Sequence, residues 1–145
     1  MITGIPFYTR IWYTGTADDG SSVTTSEILS MGSVKTTLES WSVTPVWRAD
    51  TAQNYAEWTA NDGVLCRIWI EDGASIARKA QMVPKYKIGG IAAWVLGYET
   101  NDIWQTIVDN RNLTEEGFAA QEVENAAQDA AGMAIPAESE VETES

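Results

Sequence analysis

The chain has 145 residues, 44% of them hydrophobic and 10% aromatic, enough for one compact domain of the usual ~100–150 residues and too apolar for disorder. Its net charge is −12, with no His and one Cys, which excludes imidazole-based triads, ordinary zinc sites and an intrachain disulfide. No segment approaches the ~20 apolar residues of a membrane helix, and the acidic balance argues against nucleic acid and anionic membranes, which both need a basic patch.

Residues Ile2–Trp12 form an apolar, aromatic run with Pro6 near its start, and are expected to make a short strand ending near Arg10. Thr14–Ser22 has loop composition. Ser26 then stands where it can cap a helix running to about Ser40, with Ile28, Leu29, Val34 and Leu38 on its inner face.

Three strand-like segments follow, Val43–Arg48, Asn54–Thr59 and Val64–Ile70. The last two are joined by Ala60-Asn61-Asp62-Gly63, whose Asp-Gly favours a tight hairpin. In the third, Cys66, Ile68 and Ile70 face one way and Leu65, Arg67 and Trp69 the other. A small antiparallel sheet is expected. Ser75 is expected to cap a helix through about Val83, with Ile76, Met82 and Val83 inward and Pro84 kinking or ending it.

Ile88–Gly97 is apolar throughout except for its glycines, the pattern of a strand buried on both faces, as in a helix-covered parallel sheet. Thr100 or Asn101 can cap a further helix carrying Ile103, Trp104, Ile107 and Val108 at helical spacing. The folded body, residues 1–112, is expected to end there. Nine acidic residues and no Lys or Arg lie in 114–145, leaving a net charge of −3 on the rest. This tail has weak helical potential around Phe118–Ala131, and mobility is expected from about Ala134 or earlier.

Two segments together carry a resemblance. Gly4-Ile5-Pro6-Phe7-Tyr8-Thr9-Arg10 resembles the G-x-P-F-Y-G-R strand of family 18 glycoside hydrolases, and Lys79–Glu99 (KAQMVPKYKIGGIAAWVLGYE) resembles their last helix-strand unit. In that family these are the seventh and eighth strands of a (β/α)8 TIM barrel, separated by a small α+β insertion, which here would span about residues 13–74. The closest likeness is to bacterial spore-cortex and cell-wall N-acetylglucosaminidases. The resemblance implies an α/β fold comprising part of such a barrel, a glycan partner containing N-acetylglucosamine (peptidoglycan or chitin), and an extracellular, cell-wall or spore-surface location. Any export signal would lie upstream of Met1. It implies no cofactor and no metal.

The resemblance also implies site residues. Trp94 would floor the sugar subsite at the point of cleavage, its indole stacked on the ring; the plain alternative is a core tryptophan. Tyr8 and Arg10, two apart and on one strand face, would hold the sugar or orient a neighbouring carboxylate, against a core tyrosine and an exposed arginine. Glu99 would border the cleft or cap the next helix. Glu71 and Asp72 fit a turn and helix entry better than a catalytic pair, since adjacent strand residues point oppositely. Trp12, Trp47, Trp58, Trp69 and Trp104 read as packing, with Tyr55 and Trp58 as a weaker option for an outer stacking surface. One departure from the family pattern is Thr9, where many members have Gly. A larger one is that the family's D-x-x-D-x-E motif, whose glutamate protonates the glycosidic oxygen, has no counterpart anywhere in the 145 residues. The chain is therefore expected to be inactive alone, as the C-terminal fragment of a hydrolase or, alternatively, as a non-catalytic carbohydrate-binding or partner-completing module.

Overall fold

The computed structural model describes residues 1–133. β1 (Thr3–Pro6) pairs in parallel with β7 (Ile91–Trp94), in register Thr3↔Ile91 through Pro6↔Trp94. Most of the chain between them builds a second sheet. That sheet is antiparallel, in the order β3-β2-β6-β5-β4, from β2 (Tyr8–Thr16), β3 (Ser22–Ser30), β4 (Val46–Arg48), β5 (Gln53–Thr59) and β6 (Leu65–Ile70).

The β5 and β6 strands and the 60–63 hairpin turn form where expected, whereas the strand expected over Val43–Arg48 begins only at Val46, after Pro45. Gly63 takes φ +83°, a left-handed value that glycine adopts without a Cβ clash, and Val64 accepts the Ala60 amide across the turn at 2.8 Å. Cys66, Ile68 and Ile70 are buried and Arg67 exposed, as the alternation requires.

Other segments differ from expectation. The strand expected from Ile2 to Arg10 breaks at Phe7: β1 stops at Pro6, and Tyr8 and Arg10 belong to β2 of the second sheet. That sheet consequently begins at Tyr8 rather than near residue 13. Ser26 caps no helix. Residues 22–30 form β3, paired with β2 over nine positions, because Val23, Thr24, Thr25 and Ile28 suit a strand and the long ladder satisfies their backbone. Ser30 is the cap instead, accepting the Ser33 amide at 3.1 Å, and α1 runs Met31–Trp41 with Met31, Val34 and Leu38 buried. Ile28 lies exposed on the strand.

The cap of α2 (Gly73–Ala80) is Asp72, and Ser75 is its partner three residues on, each side chain bonding the other's backbone amide at 3.0 Å. The expected single helix through Val83 divides at Gln81, and Pro84 falls inside α3 (Met82–Tyr86), where Met82 is exposed rather than inward. α4 (Ile103–Arg111) starts after Asp102, which makes no side-chain cap bond; it buries Ile103 and Ile107 and leaves Trp104 and Val108 partly exposed. The expected mobility before residue 134 does not hold for 115–133, which form α5 (Glu115–Met133) docked on the body; the expectation for 134–145 lies outside the described residues.

Two cores result. Ile5, Phe7, Met31, Ile76, Ile103 and Ile107 sit between the parallel pair and α2 and α4. Ile11, Val34, Leu38, Ala56, Ile68 and Ile70 sit between the antiparallel sheet and α1. Burying such a side chain is worth about 1.5–3 kcal/mol, so α1, which contributes to both cores, ties them together.

Candidate functional site

β7 was expected to be buried on both faces, yet it is covered on one. Ile91 and Ala93 pack on the first core, while Ala92 and Trp94 alternate to the other side, and Trp94 is 71% exposed. Within this chain Trp94 thus belongs to neither core. Its carbonyl accepts the Phe7 amide at 2.6 Å, which sets the end of β7 beside the junction where β1 hands over to β2. The Trp94–Val95 peptide is cis.

Beyond β7 the chain folds back on α1: the Tyr98 carbonyl accepts the Met31 amide at 2.9 Å. Glu99 organises this loop from within, its carboxylate accepting the Gly97 amide at 2.7 Å and the Trp104 indole N–H at 3.0 Å. Its own backbone amide, then the Trp104 indole and the Gly97 and Tyr98 amides, hold the carboxyl below the usual carboxylate range against a smaller desolvation penalty. Glu99 ties the loop to the first turn of α4.

Tyr8 and Arg10 share the outer face of the antiparallel sheet, away from α1. Arg10 donates to Ser26 Oγ at 2.8 Å and lies 5.8 Å from the Trp12 ring centre. Directly across from Arg10 stand Ile28 on β3 and Trp69 on β6. Trp69 in turn opposes Tyr55, their rings 4.8 Å apart, and Tyr55 and Arg67 both donate to Glu57 Oε2, at 2.7 and 3.0 Å.

Glu71 and Asp72 do point apart. Glu71 is buried and receives Gln53 at 2.7 Å, Ser75 at 2.8 Å and the Lys79 ammonium, while its amide donates to Thr9 Oγ1 at 2.9 Å. This network joins β2, β5 and α2, and gives the Thr9 hydroxyl a buried partner. Asp72 caps α2 and accepts Asn54 at 2.7 Å.

A pocket of about 600 Å³ opens between α1 and the corner from β6 into α2, with Met31, Leu38, Val43 and Ile70 on its walls and Asp72 and Asp102 among its polar groups. None of Tyr8, Arg10, Trp94 and Glu99 lines it. Among the described residues no group of His, Cys, Asp and Glu could hold a metal ion, and no helix is long and apolar enough to cross a membrane. Sequence reasoning passed over the row joining Arg10 to Trp69 and Tyr55. The alternation in 65–70 had shown Trp69 to be outward, but only strand pairing brings it opposite Arg10.

The model of glycosyl hydrolases family 18 matches residues 1–99. The chain belongs to that family. It is 24% identical over 107 residues to the uncharacterized glycosylase YvbX of Bacillus subtilis, an alignment covering 74% of this chain and 29% of the relative. It is 32% identical over 56 residues to a cortical fragment-lytic enzyme of Bacillus anthracis, covering 39% of this chain and 13% of that one. Among solved structures, a chitinase from Chromobacterium violaceum superposes with a TM-score of 0.67 at 23% identity, covering 78% of this chain and 33% of that one. The spore cortex-lytic enzyme SleL of Bacillus megaterium superposes with a TM-score of 0.65 at 21% identity, covering 79% and 26%. The chain thus spans about a third or less of the length of these proteins. The mixed α/β fold is that of family 18 chitinase-like domains.

Proposed function

We propose that this chain is the closing part of a glycoside hydrolase that cleaves polymers containing N-acetylglucosamine, peptidoglycan or chitin, at a cell wall or spore surface. In this reading β1 and β7 are the last two strands of a (β/α)8 barrel, α2 and α4 are their helices, and the antiparallel sheet with α1 is the insertion. The acid that protonates the leaving oxygen comes from outside these 145 residues, and the substrate's own N-acetyl carbonyl attacks the sugar carbon. Trp94 forms the sugar floor, Tyr8 and Arg10 border the glycan, and Glu99 holds the loop beyond Trp94. The observation that carries the reading is the 71% exposure of Trp94 at the C-terminal end of a parallel strand, the end at which barrel active sites collect.

The test has two parts. The reading frame upstream of Met1 should continue into a segment containing D-x-x-D-x-E. In the polypeptide that carries both, Trp94→Phe should keep the fold and cut hydrolysis of chito-oligosaccharides or muropeptides, since misplacing the internal nucleophile can cost ~100-fold. Near-normal turnover of Trp94→Phe would sink the site assignment. A second reading, a carbohydrate-binding or partner-completing module, is favoured by the aromatic outer sheet face and by the absence of the motif; a stop codon immediately upstream would support it.

A further inference from the structure

Trp94 takes its direction from its backbone. The indole belongs to neither core and is largely exposed, so no close-packed wall selects its orientation and the chain on either side has to fix it. On the strand side the Trp94 carbonyl accepts the Phe7 amide at 2.6 Å. On the loop side the chain turns back. The Tyr98 amide donates to the Val95 carbonyl at 3.3 Å, with Gly97 at φ +91° in the third position of the turn, and the Glu99 carboxylate accepts the Gly97 amide at 2.7 Å.

One side chain touches both anchors. Trp104, in the first turn of α4, meets the Phe7 ring at 5.2 Å and an interplanar angle of 90°, and its indole N–H donates to Glu99 at 3.0 Å. A closed path results, from the Trp94 carbonyl to Phe7, across the two rings to Trp104, through its N–H to Glu99, and through the Gly97 amide back along the chain to Trp94. Packing accounts for only part of this. A phenylalanine at 104 could also meet Phe7 edge-on, and an indole 46% exposed could leave its N–H to water without a desolvation penalty. Burial therefore does not demand the bond to the carboxylate. What that bond does is tie the loop to a helix that is itself anchored by the buried Ile103 and Ile107. Trp104 also lies beyond residues 1–99, the stretch that the family model matches.

We infer that Trp104 is a positioning residue for Trp94. With its ring on Phe7 and its N–H on Glu99 it fixes both ends of the segment that carries the exposed indole, and so sets the angle at which that indole meets a sugar ring. The inference rests on the proposed function and adds to it a residue that touches no substrate and acts through Phe7 and Glu99.

The experiment has two readouts. In the full 145-residue chain labelled with fluorotryptophan, the Trp94 fluorine resonance is identified by its loss in Trp94→Phe. Trp104→Phe keeps a ring against Phe7 and removes the N–H, and should broaden or split the Trp94 resonance while the chain stays folded by circular dichroism. Glu99→Ala should do the same, and Glu99→Gln, whose side-chain carbonyl still accepts a hydrogen bond, should restore most of the sharpness. In the polypeptide that also carries D-x-x-D-x-E, Trp104→Phe should lower kcat about tenfold and change KM less than about twofold, because a misdirected sugar floor costs alignment in the transition state more than binding. Where Trp104→Phe does not fold, 3-benzothienylalanine at position 104, which exchanges only the N–H for sulfur, repeats both measurements. An unaltered Trp94 resonance in the variant at 104 would overturn the inference. So would an unaltered kcat in that variant where Trp94→Phe does cut turnover. Normal turnover in Trp94→Phe itself would count against the proposed function instead, and the Trp94 resonance would still decide whether Trp104 positions it.

Discussion

Two aromatic residues show how differently similar side chains are used here. Phe7 is wholly buried and meets Trp104 edge-on at 5.2 Å, whereas Trp94, whose carbonyl accepts the Phe7 amide, is 71% exposed. Replacing Phe7 with Ala should cost about 3–5 kcal/mol of stability, because it empties a closed site. Trp94→Ala in this chain should change stability by no more than about 0.5 kcal/mol. Denaturant unfolding of the two variants checks the contrast, and a large loss in Trp94→Ala would show that the indole supports the fold. Trp94 was legible in the sequence as a candidate through the family pattern, but its orientation was not, since the glycine-flanked run 88–97 reads equally as a strand covered on both sides.

At the scale of elements, the helix α5 departs furthest from what composition implied. Its apolar content is small, and what holds it is a polar clasp. Asp129 accepts the Trp47 indole N–H at 2.9 Å and pairs with Arg78 at 2.7 Å, and Arg78 lies 5.3 Å from the Trp47 ring centre. Asn125 donates to Gln81 at 2.7 Å, and Gly132 lies so close to Trp47 that a Cβ there would stand 2.5 Å from its carbonyl oxygen. α5 therefore bridges the antiparallel sheet, through β4, and the helices behind the parallel pair, through α2. Partial burial pushes the Asp129 carboxyl up, but hydrogen bonds from Arg78 and Trp47 outweigh it and hold the carboxyl below its usual value. A carboxyl depressed in the folded state contributes stability above its unfolded pKa, near 3.9, and loses it as pH falls through the folded value. Acidification below about pH 4 should thus release α5, read as faster amide exchange in 115–133 and a change in Trp47 fluorescence. Asp129→Asn should show that release already at neutral pH. Gly132→Val should also lift the helix, by steric means, and should do so at every pH. Removing residues 115–145 should lower the melting temperature, since Trp47 loses its cover and Arg78 its partner; an unchanged melting temperature would mean that the clasp contributes nothing to the fold.

At the scale of the whole molecule, the 145 residues hold a parallel strand pair, its helices and a second sheet, but no D-x-x-D-x-E. The chain alone should therefore show no measurable hydrolysis of chito-oligosaccharides or muropeptides, since general acid catalysis is worth ~100–10,000-fold by itself. Turnover abolished by changing one carboxylate of this chain would contradict that. Family membership and the short strands at 53–59 and 65–70 were readable directly, because motif spacing and two-residue alternation are local properties of a chain. The same locality explains the misreadings. Residues 22–30 pass for a helix start until nine partners on β2 claim their backbone, and Tyr8 and Arg10 pass for a continuation of β1 until the chain changes sheets at Phe7. Helix α5 looked unsupported because its clasp joins residues 51 and 82 positions apart in sequence. The order of residues determined which segments alternate and which motif they carry. Only the tertiary structure decided which face each strand shows and which distant charges meet, because pairing partners and burial are settled when separate segments compete for the same space.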